Sequence, residues 1–454
     1  MRFLTIGLGH CGGKMASSFK AAAMDEEHLI VDICGVNTDR ADLESHGEIP
    51  DGNKLLIGSG RGAAKDWREG QRAGTEARDH IRNLIRRLLQ PDTDIVMLTL
   101  GEGGGSGSGL APVVAEILVE LGRECMALAT LPFREESVKA KVNAAKGLDI
   151  LYRQESVKAL VLIDNDKIVA HYPDRALTDA YAEVNRTAVR TFIGLLDLAN
   201  APSQADRIDE SELRSIFGYP GFATLANHRT YANVVTGLDS MLRHSWEGSL
   251  FADIDPTTAA GALLGVYGPT GMFTTTQVDR IRRVLKEMLV GRDATLGVYP
   301  VDHCRWVSYV GIMTGLDIPQ KIRELMGAAR EEHRMQEQVL EERRAQKAAG
   351  LGFQLPTERP RQARPTPVPV PVSLVDLEAM AAYAPRDSDI SNTLRRVMEA
   401  INGMPARQMA DWELVEHVRE FVDASEEEVA ACILRLKEMG CIIEPRAGVL
   451  QVIQ

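Results

Sequence analysis

The sequence predicts an α/β protein whose N-terminal part is built on a parallel sheet. Short runs of apolar residues alternate there with amphipathic stretches of helical period. The runs are apolar at nearly every position, which is typical of parallel strands buried on both faces. The predicted strands are Phe3–Ile6, Ile30–Val36, Asp94–Leu100, Cys125–Leu131 and Leu160–Ile163, and the helices between them include Thr75–Leu89 and Ala111–Leu121.

A second α/β region follows a long helical pattern, Ala176–Leu198. It has strand-like stretches at Ala260–Tyr267 and Val307–Thr314, an amphipathic helix at Thr275–Val290 and a highly charged helix at Ile318–Gln346. The predicted boundaries are 1–175 for the first α/β domain, 176–200 for the central helix, 201–222 for a connecting loop and helix, 223–329 for the second α/β domain, 330–354 for a charged helical extension, 355–386 for a proline-rich linker and 387–454 for a small C-terminal domain.

The small C-terminal domain has the element order of a winged helix. Three helical patterns (Ser391–Ile401, Asp411–Val422 and Ser425–Met439) precede two strand-like stretches, Cys441–Pro445 and Val449–Ile453. Residues 386–454 contain thirteen acidic and eight basic residues, and the third helical pattern begins with a serine and three glutamates, so this surface would repel phosphate. We therefore expect this domain to bind a protein partner and not nucleic acid.

The composition limits the environments in which the chain works. Its net charge of −12 argues against nonspecific attraction to nucleic acid or anionic lipid. The six cysteines are scattered without metal-ligand spacing, which is typical of a reducing compartment. No apolar run reaches the roughly 18 residues that a membrane span needs, and the apolar start is too short for a signal peptide. We expect a cytoplasmic protein.

The first of two glycine-rich turns, Gly7–Gly12, has the pattern G-x-G-x-x-G after a strand. Such turns hold a pyrophosphate on backbone N–H groups at a helix N-terminus. Asp32 follows about 20 residues later, where a dinucleotide site places an acid for the ribose, so a dinucleotide is one interpretation. A P-loop is excluded, because Met15 replaces the Ser or Thr that would bind Mg²⁺.

The second turn, Gly101–Gly109, follows the strand Asp94–Leu100 and precedes a helix that we predict to begin near Ala111, with Pro112 in its first turn. Alternating glycines let many N–H groups approach one anion, and the serines of the turn add hydroxyl donors. Because both turns follow parallel strands, we expect them to hold one triphosphate from two sides. A simple Rossmann dehydrogenase needs only the first turn.

These motifs and their order resemble the tubulin/FtsZ superfamily of GTPases, and within it the archaeal CetZ group. Gly103–Gly109 is similar to the signature GGGTGTG with serines in place of threonines. Other motifs that resemble the superfamily's are Gly9–Lys14, Asn37–Asp39, Ile57–Ala64, Leu131–Glu136, Leu162–Asp166 and Asp179–Asn185. The resemblance covers about residues 1–329. It implies a Rossmann-like GTP-binding domain, a central helix and a second α/β domain.

The resemblance implies a site for GTP or GDP with Mg²⁺. The backbone N–H groups of the two glycine loops would hold the phosphates, Glu136 the ribose, and Tyr181 and Asn185 the guanine. For His10 and Lys14, a contact to phosphate and a purely structural role both stay open. The implied binding residues are Gly9, His10, Cys11, Gly12, Gly13, Lys14, Asn37, Gly62, Ala63, Ala64, Gly103, Gly104, Gly105, Ser106, Gly107, Ser108, Gly109, Glu136, Asn143, Tyr181 and Asn185.

The implied catalytic residues are Asp209 and Glu212, which stand where the CetZ group carries D-S-S-E. Three residues apart, they share one face of a helix. By resemblance, they would enter the site of a neighbouring subunit and orient the attacking water. Such a contact is heterologous and does not close, so the partner is the chain itself in a head-to-tail filament. Without the resemblance, a solvated acidic turn is the simpler interpretation.

Three functions stay open at this point. The first is a filament-forming GTPase that serves cell shape or division. The second is an NAD-dependent oxidoreductase, and the third is a nucleotide-binding adaptor that hydrolyses little or nothing. The nucleotide content of the purified protein separates the first two. GTP turnover that rises steeply with protein concentration separates the first from the third.

Overall fold

The apolar runs of the N-terminal part form parallel strands, as predicted. The computed structural model describes residues 1–350 except 25, 27, 204, 236, 240 and 248, and also residues 408–410, 442–446 and 449–452. Two compact units, Met1–Arg343 and Arg344–Gln454, divide the chain. The first unit contains both predicted α/β regions.

Ten strands form one sheet in the first unit. They are β1 (Arg2–Leu8), β2 (Ile30–Asn37), β3 (Lys54–Leu56), β4 (Thr93–Gly101), β5 (Cys125–Leu131), β6 (Val157–Asp164), β7 (Gly221–Tyr231), β8 (Gly261–Pro269), β9 (Asp293–Val301) and β10 (Trp306–Leu316). The strand order is β3-β2-β1-β4-β5-β6-β7-β10-β8-β9. The strands from β3 to β7 pair in parallel, whereas β10 is antiparallel to both β7 and β8.

Twelve α-helices are described within residues 1–350. They are α1 (Gly9–Ala23), α2 (Arg40–Glu44), α3 (Trp67–Glu76), α4 (Arg78–Leu88), α5 (Gly105–Glu120), α6 (Val138–Tyr152), α7 (Asn165–His171), α8 (Leu177–Asp197), α9 (Glu210–Phe217), α10 (Leu242–Glu247), α11 (Thr275–Met288) and α12 (Gln320–Gly350). None of the described helices combines the length and the apolarity that crossing a membrane requires.

The sheet is covered on both faces, which explains why its strands are apolar throughout. On β1, Leu4 and Ile6 contact the cluster that includes the buried residues of α5, while Phe3 contacts the cluster that includes α1 and α8. The Phe3 and Phe19 rings lie 5.3 Å apart, centroid to centroid. The two faces therefore bury separate apolar cores, with the central helix α8 on the side of α1.

Two predictions about element bounds were wrong. The predicted helix Thr75–Leu89 corresponds to α4, and its first two residues belong to the end of α3, which was not predicted; Ala77, whose φ of −96° and ψ of 10° leave the helical range, separates the two helices. Helix α5 begins at Gly105 and not near Ala111, so Pro112 lies beyond its first turn. The strands β3, β7 and β9 were not predicted; β3 is short and half-buried, and the exposed end of β7 carries polar side chains.

The second unit contains a small antiparallel sheet. Its strands are β11 (Gln408–Ala410), β12 (Ile442–Arg446) and β13 (Val449–Val452), in the order β11-β13-β12. The two strand-like stretches predicted near the C-terminus form β12 and β13, which pair in antiparallel fashion, and β11 is an addition to them. The three predicted helices and the proline-rich linker lie outside the described residues, so the winged helix stays a prediction.

Candidate functional site

A cavity of 650 Å³ opens at the carboxyl ends of the parallel strands. It lies where the strand order reverses, between β1 and β4, which is the place where open α/β sheets bind ligands. Its wall contains these residues: Leu8, Gly9, His10, Cys11, Lys14, Asp39, Asp42, Gly62, Ala63, Lys65, Gly101, Gly103, Gly104, Gly105, Ser106, Gly107, Thr130, Leu131, Pro132, Glu136, Asn165, Thr178, Tyr181, Val184 and Asn185. Both glycine loops therefore border one cavity, as predicted.

Two helices begin at this cavity with free N-termini. The residues before α1 and α5, Leu8 and Gly104, make no side-chain capping hydrogen bond, and neither first turn contains an acid. The nearby helices α2, α3, α6 and α7 are instead capped by Asp39, Asp66, Ser137 and Asp164. The backbone N–H groups and the positive dipole ends of α1 and α5 are thus available to an anion.

The glycines let the two loops lie directly against each other. Gly9 has a φ of +70°, and a Cβ there would lie 3.1 Å from the main-chain N of Gly107. A Cβ on Gly107 would lie 2.7 Å from the main-chain O of Gly101. A side chain at either position would separate the two helix N-termini, so glycine is required for both to reach the same anion.

Seven of the predicted binding residues are not part of the wall. They are Gly12, Gly13, Asn37, Ala64, Ser108, Gly109 and Asn143. For Gly12 and Asn143 the hydrogen bonds show a supporting role. Thr99 Oγ1 donates to the main-chain O of Gly12 at 2.8 Å, which fastens α1 to β4. Asn143 Nδ2 donates to the main-chain O of Lys65 at 3.1 Å and, more weakly, to that of Gly103 at 3.4 Å.

His10 lies at the cavity edge beside an acid and a second histidine. Its Nδ1 is 3.1 Å from Asp42 Oδ1, close enough for an ion pair but outside hydrogen-bonding geometry. Its ring centroid is 5.4 Å from that of His46, whose Nε2 contacts the main-chain O of His10 at 3.1 Å. Burial lowers the pKa of His10 more than the Asp42 carboxylate raises it, so the imidazole is neutral at pH 7.

The far side of the cavity is formed by α8 and by the loop after β5. Tyr181, Val184 and Asn185 line it from α8, and Pro132 and Glu136 line it from the loop. Glu136 is held locally, since its Oε1 accepts a hydrogen bond from the main-chain N of Phe133 at 3.3 Å. This wall joins an aromatic ring, an amide and a carboxylate, the groups that a base and a sugar contact.

An ion cluster supports the same rim. Asp164 caps α7 by accepting from the N–H of Asp166 at 3.0 Å, and Asn165 between them lines the cavity. Lys321 of α12 is 6% exposed, pairs with Asp166, and has its Nζ 3.3 Å from Asp164 Oδ1. The main-chain N–H of Arg134 donates to Asp166 Oδ1 at 2.9 Å, and its guanidinium pairs with Glu324 of α12 at 2.8 Å. The start of α12 is therefore tied to the cavity wall.

Sequence reasoning missed several residues of this wall. Asp42, Lys65, Thr130 and Thr178 line the cavity but stand outside the positions assigned from the motifs. Lys65 is unusual because its φ is +51°, a left-handed conformation that non-glycine residues adopt rarely. The only sequence signal near it was the run of three glycines at residues 58, 60 and 62, which marks an irregular loop.

Asp209 and Glu212 lie outside this cavity. Asp209 caps α9, with its Oδ1 accepting from the N–H of Glu212 at 2.8 Å, and Glu212 Oε2 accepts from the N–H of Asp209 at 2.9 Å. Hydrogen bonds from the Glu212 N–H and then from the Ser211 hydroxyl lower the pKa of Asp209. The pair forms a capping box, and Glu212 also borders a separate cavity of 440 Å³.

Asp32, the acid that a dinucleotide site would place at the ribose, lies away from the cavity. Asp32 lies in the first half of β2, remote from the carboxyl end of the strand, and pairs with Arg2 Nη1 at 2.8 Å. It is not part of the cavity wall. The second glycine loop, for which a dehydrogenase has no use, contributes five consecutive residues, 103–107, to that wall. The NAD-dependent interpretation therefore loses its support.

Comparison with known proteins agrees with this geometry. The Tubulin/FtsZ family GTPase domain matches residues 2–173. The tubulin-like protein CetZ of Thermococcus kodakarensis is 30% identical over 340 residues, which cover 73% of this chain and 86% of that protein. The GDP-bound monomer of CetZ1 from Haloferax volcanii superposes with a TM-score of 0.63 and 25% identity, over 73% of this chain and all of the other.

A second solved structure has the same fold. It is the GTPγS-bound protofilament of CetZ2 from Haloferax volcanii, with a TM-score of 0.63, 24% identity, and coverage of 74% of this chain and 100% of that chain. The sequence match to the Thermococcus protein spans most of both chains. The chain belongs to the tubulin/FtsZ family and is CetZ-like.

Proposed function

We propose that this protein binds a guanine nucleotide in the 650 Å³ cavity, assembles head-to-tail into filaments and hydrolyses GTP where subunits meet. The observation that carries the proposal is the pair of uncapped, acid-free helix N-termini, α1 and α5, on one cavity. One phosphate chain is the ligand that such a pair suits, since each N-terminus offers several N–H donors and a partial positive charge.

In this proposal the phosphates lie on the backbone N–H groups of the loop residues that line the cavity, 9–11 and 103–107. Mg²⁺ suits this end of the cavity because it keeps several waters and binds through one or two carboxylates together with phosphate oxygens. Asp39 and Asp42 are the carboxylates of the wall that would hold it. When bound, the ion would neutralise phosphate charge. Asp39 is already oriented, because its Oδ1 accepts from the N–H of Asp42 at 3.0 Å.

The base and the ribose would occupy the wall formed by α8 and the loop after β5. Tyr181 offers a ring for stacking, and Asn185 offers a donor and an acceptor to the edge of guanine. Glu136 would accept hydrogen bonds from the ribose hydroxyls. Solved relatives support this choice of ligand, since CetZ1 of Haloferax volcanii contains GDP and CetZ2 contains GTPγS.

Hydrolysis would use the acids of a neighbouring subunit. Asp209 and Glu212 are absent from the wall of their own cavity and lie at the exposed N-terminus of α9. An ionised carboxylate with a lowered pKa can orient a water and accept its proton in the transition state. Assembly would therefore complete the site, and turnover would rise with protein concentration. The protofilament of the CetZ2 relative supports head-to-tail assembly.

The cellular role that suits these properties is cytoskeletal, in the cytoplasm, in cell shape or division. The C-terminal unit would recruit a protein partner, given its excess of acidic residues. An adaptor that binds GTP but hydrolyses little shares the same cavity. Turnover decides between the two, because phosphate release by an adaptor would stay low at every protein concentration.

The test combines sedimentation with phosphate release, for the full chain with GTP and with GDP over a range of protein concentrations. We expect pelleting with GTP, and phosphate release per subunit that increases steeply above a threshold concentration. A chain that binds no guanine nucleotide would contradict the whole proposal. A chain that pellets with GTP but releases no phosphate would retain binding and assembly and would exclude hydrolysis.

A further inference from the structure

A carboxylic acid lies buried under the second glycine loop without a partner. Glu102 follows the last residue of β4, and its exposed fraction is 0%. Neither of its carboxyl oxygens has a hydrogen-bond partner among the described residues. Buried carboxylates are normally paired or hydrogen-bonded, because an isolated charge loses its hydration without compensation. The side chain therefore calls for an explanation that the motif does not provide.

The described residues around Glu102 offer no counter-charge. Its main-chain N–H donates to the main-chain O of Thr130 on β5 at 3.0 Å. Ser108 of α5 lies close to the carboxyl, but its hydroxyl donates to the main-chain O of Glu102 at 2.5 Å and so does not neutralise a carboxylate. On α6, a Cβ at Gly147 would lie 2.1 Å from Glu102 Oε2.

The protonation state follows from this environment. Burial raises the pKa of Glu102 to about 8 and outweighs the lowering effect of the nearby Ser108 hydroxyl, and no charged side chain of the described part contributes. At neutral pH the group is the uncharged acid. In that form its own O–H is a donor, and the oxygen of Ser108 has lone pairs to accept it.

We propose that Glu102, as the neutral acid, is a positioning residue for the loop 101–109, and that its ionisation releases the loop and weakens binding of the nucleotide. This inference rests on the proposed guanine-nucleotide site. Glu102 joins the loop to β5 and to α5 through its main chain, while its side chain fills the space that Gly147 leaves on α6.

Glu102 is connected to the cavity wall through the residues directly next to it in the chain. An ionised carboxylate recovers hydration only by leaving the contact with α6. Such a movement displaces its neighbours Gly101 and Gly103, which line the cavity. It also breaks the hydrogen bond to Ser108 in the first turn of α5. The N–H groups that would face the phosphates therefore lose their alignment when Glu102 loses its proton.

The test compares the wild type with Glu102→Gln, which keeps the shape and a donor of the neutral acid but does not ionise. The affinity for GDP is measured by calorimetric titration from pH 6.5 to pH 9.5. We expect the two proteins to bind equally at pH 7, and the wild type to lose about tenfold in affinity per pH unit relative to the variant above pH 8. Titration of the guanine itself affects both proteins and cancels.

The thermal midpoint of the nucleotide-free protein provides a second measurement. A carboxyl group whose pKa is higher in the folded than in the unfolded state stabilises the folded protein most at low pH. Its contribution to the free energy of unfolding declines as the pH rises towards the folded-state pKa. The midpoint of the wild type should therefore fall relative to Glu102→Gln between pH 5 and pH 8 and level off above pH 8. Glu155 is exposed, so Glu155→Gln is the matched control. This variant should follow the wild type in both measurements.

The outcomes separate this inference from the function on which it rests. Parallel pH profiles for the wild type and Glu102→Gln in GDP affinity would overturn the positioning role. Parallel profiles in the thermal midpoint would show that the acid is not held neutral. A protein that binds no GDP at any pH would overturn the proposed function and with it the positioning role, while the thermal midpoint would still report the protonation of Glu102.

Discussion

The N-termini of α1 and α5 contrast with the N-terminus of α9. At the first pair, no side chain caps the helix, no acid occupies the first turn, and glycines expose the N–H groups. At α9, Asp209 and Glu212 cap each other's N–H groups, and Glu210 adds another acid. The first pair offers donors and a partial positive charge, whereas α9 offers carboxylates.

The difference shows how one structural feature can serve two opposite purposes. A helix N-terminus left open attracts an anion, and one closed by carboxylates presents negative charge outward. In a head-to-tail assembly the two would be complementary: an open end holds the phosphates and an acidic end faces them from the next subunit. The capping box also gives the acids a structural role, so their charge and their capping have to be tested separately.

The largest effect is expected when Asp209, at the N-terminus of α9, loses its charge but the capping hydrogen bond is kept. Asparagine caps helices as well as aspartate does, so Asp209→Asn should leave the urea unfolding midpoint nearly unchanged. Turnover of assembled protein should fall about 1,000-fold, within the range for loss of a general base. Phosphate release and urea unfolding measure the two effects. Asp255→Asn, the same change at a cap elsewhere, is the control.

If Asp209→Asn retains full turnover while GTP-driven pelleting is normal, Asp209 is only a cap. The contrast between the two kinds of N-terminus would then be structural and not catalytic. Glu212→Gln provides the independent repeat, because glutamine also completes a capping box.

The capped N-terminus of α7 lies between these two extremes. It borders the cavity, yet Asp164 carries a negative charge there, which Lys321 neutralises. Lys321→Met should leave the buried Asp164 without its counter-charge and lower the free energy of unfolding by about 3 kcal/mol, whereas the partly exposed Asp166 keeps Arg134 as a partner. Urea denaturation measures the change, and Lys286→Met on the exposed face of α11 is the control. An unchanged midpoint would show that the cluster contributes nothing.

The open N-termini depend on the glycines between them. Gly107→Ala places a methyl group 2.7 Å from a main-chain oxygen, so the loop must shift and the N–H groups separate. We expect GDP affinity to fall about 30-fold, which corresponds to roughly 2 kcal/mol. The control is Gly52→Ala, where nothing lies within 4 Å of the new methyl group. Equal losses in both variants would remove the special role of the loop.

The smallest effect concerns His10, whose imidazole is neutral at pH 7 because burial lowers its pKa. His10→Ala should weaken GDP binding about fivefold, the worth of one neutral hydrogen bond. A bound anion favours the protonated ring, so the wild type should gain affinity relative to His10→Ala as the pH falls from 7 to 5.5. Titration at both pH values measures this, and unchanged affinity would exclude His10 from the site.

Much of this site was predictable because it depends on backbone chemistry. Glycine spacing after two apolar strands located Gly9 and Gly107, and parallel topology brought both to one edge of the sheet. The helix α3 was missed because the face that packs on α5 consists of Gly70, Ala73 and Gly74, which give no apolar signal. A Cβ on Gly70 would lie 2.2 Å from a main-chain oxygen of α5.

Other features depend on contacts between distant parts of the chain. The glycine-rich start of α5 has the composition of a loop, but close packing on α3 extends the helix back to Gly105. Lys321 joins the rim from a helix more than 150 residues beyond Asp164. The burial of Glu102 depends on the absence of a side chain at Gly147. None of these has a local pattern by which a single sequence would reveal it.

The central claim is that the open N-termini of α1 and α5 hold the phosphates of a guanine nucleotide. Calorimetric titration of the wild type with guanosine and with GDP tests it most directly. Two charge-assisted hydrogen bonds from these N–H groups would make GDP bind at least about 100-fold more tightly than guanosine. Equal affinities for guanosine and GDP would contradict the claim.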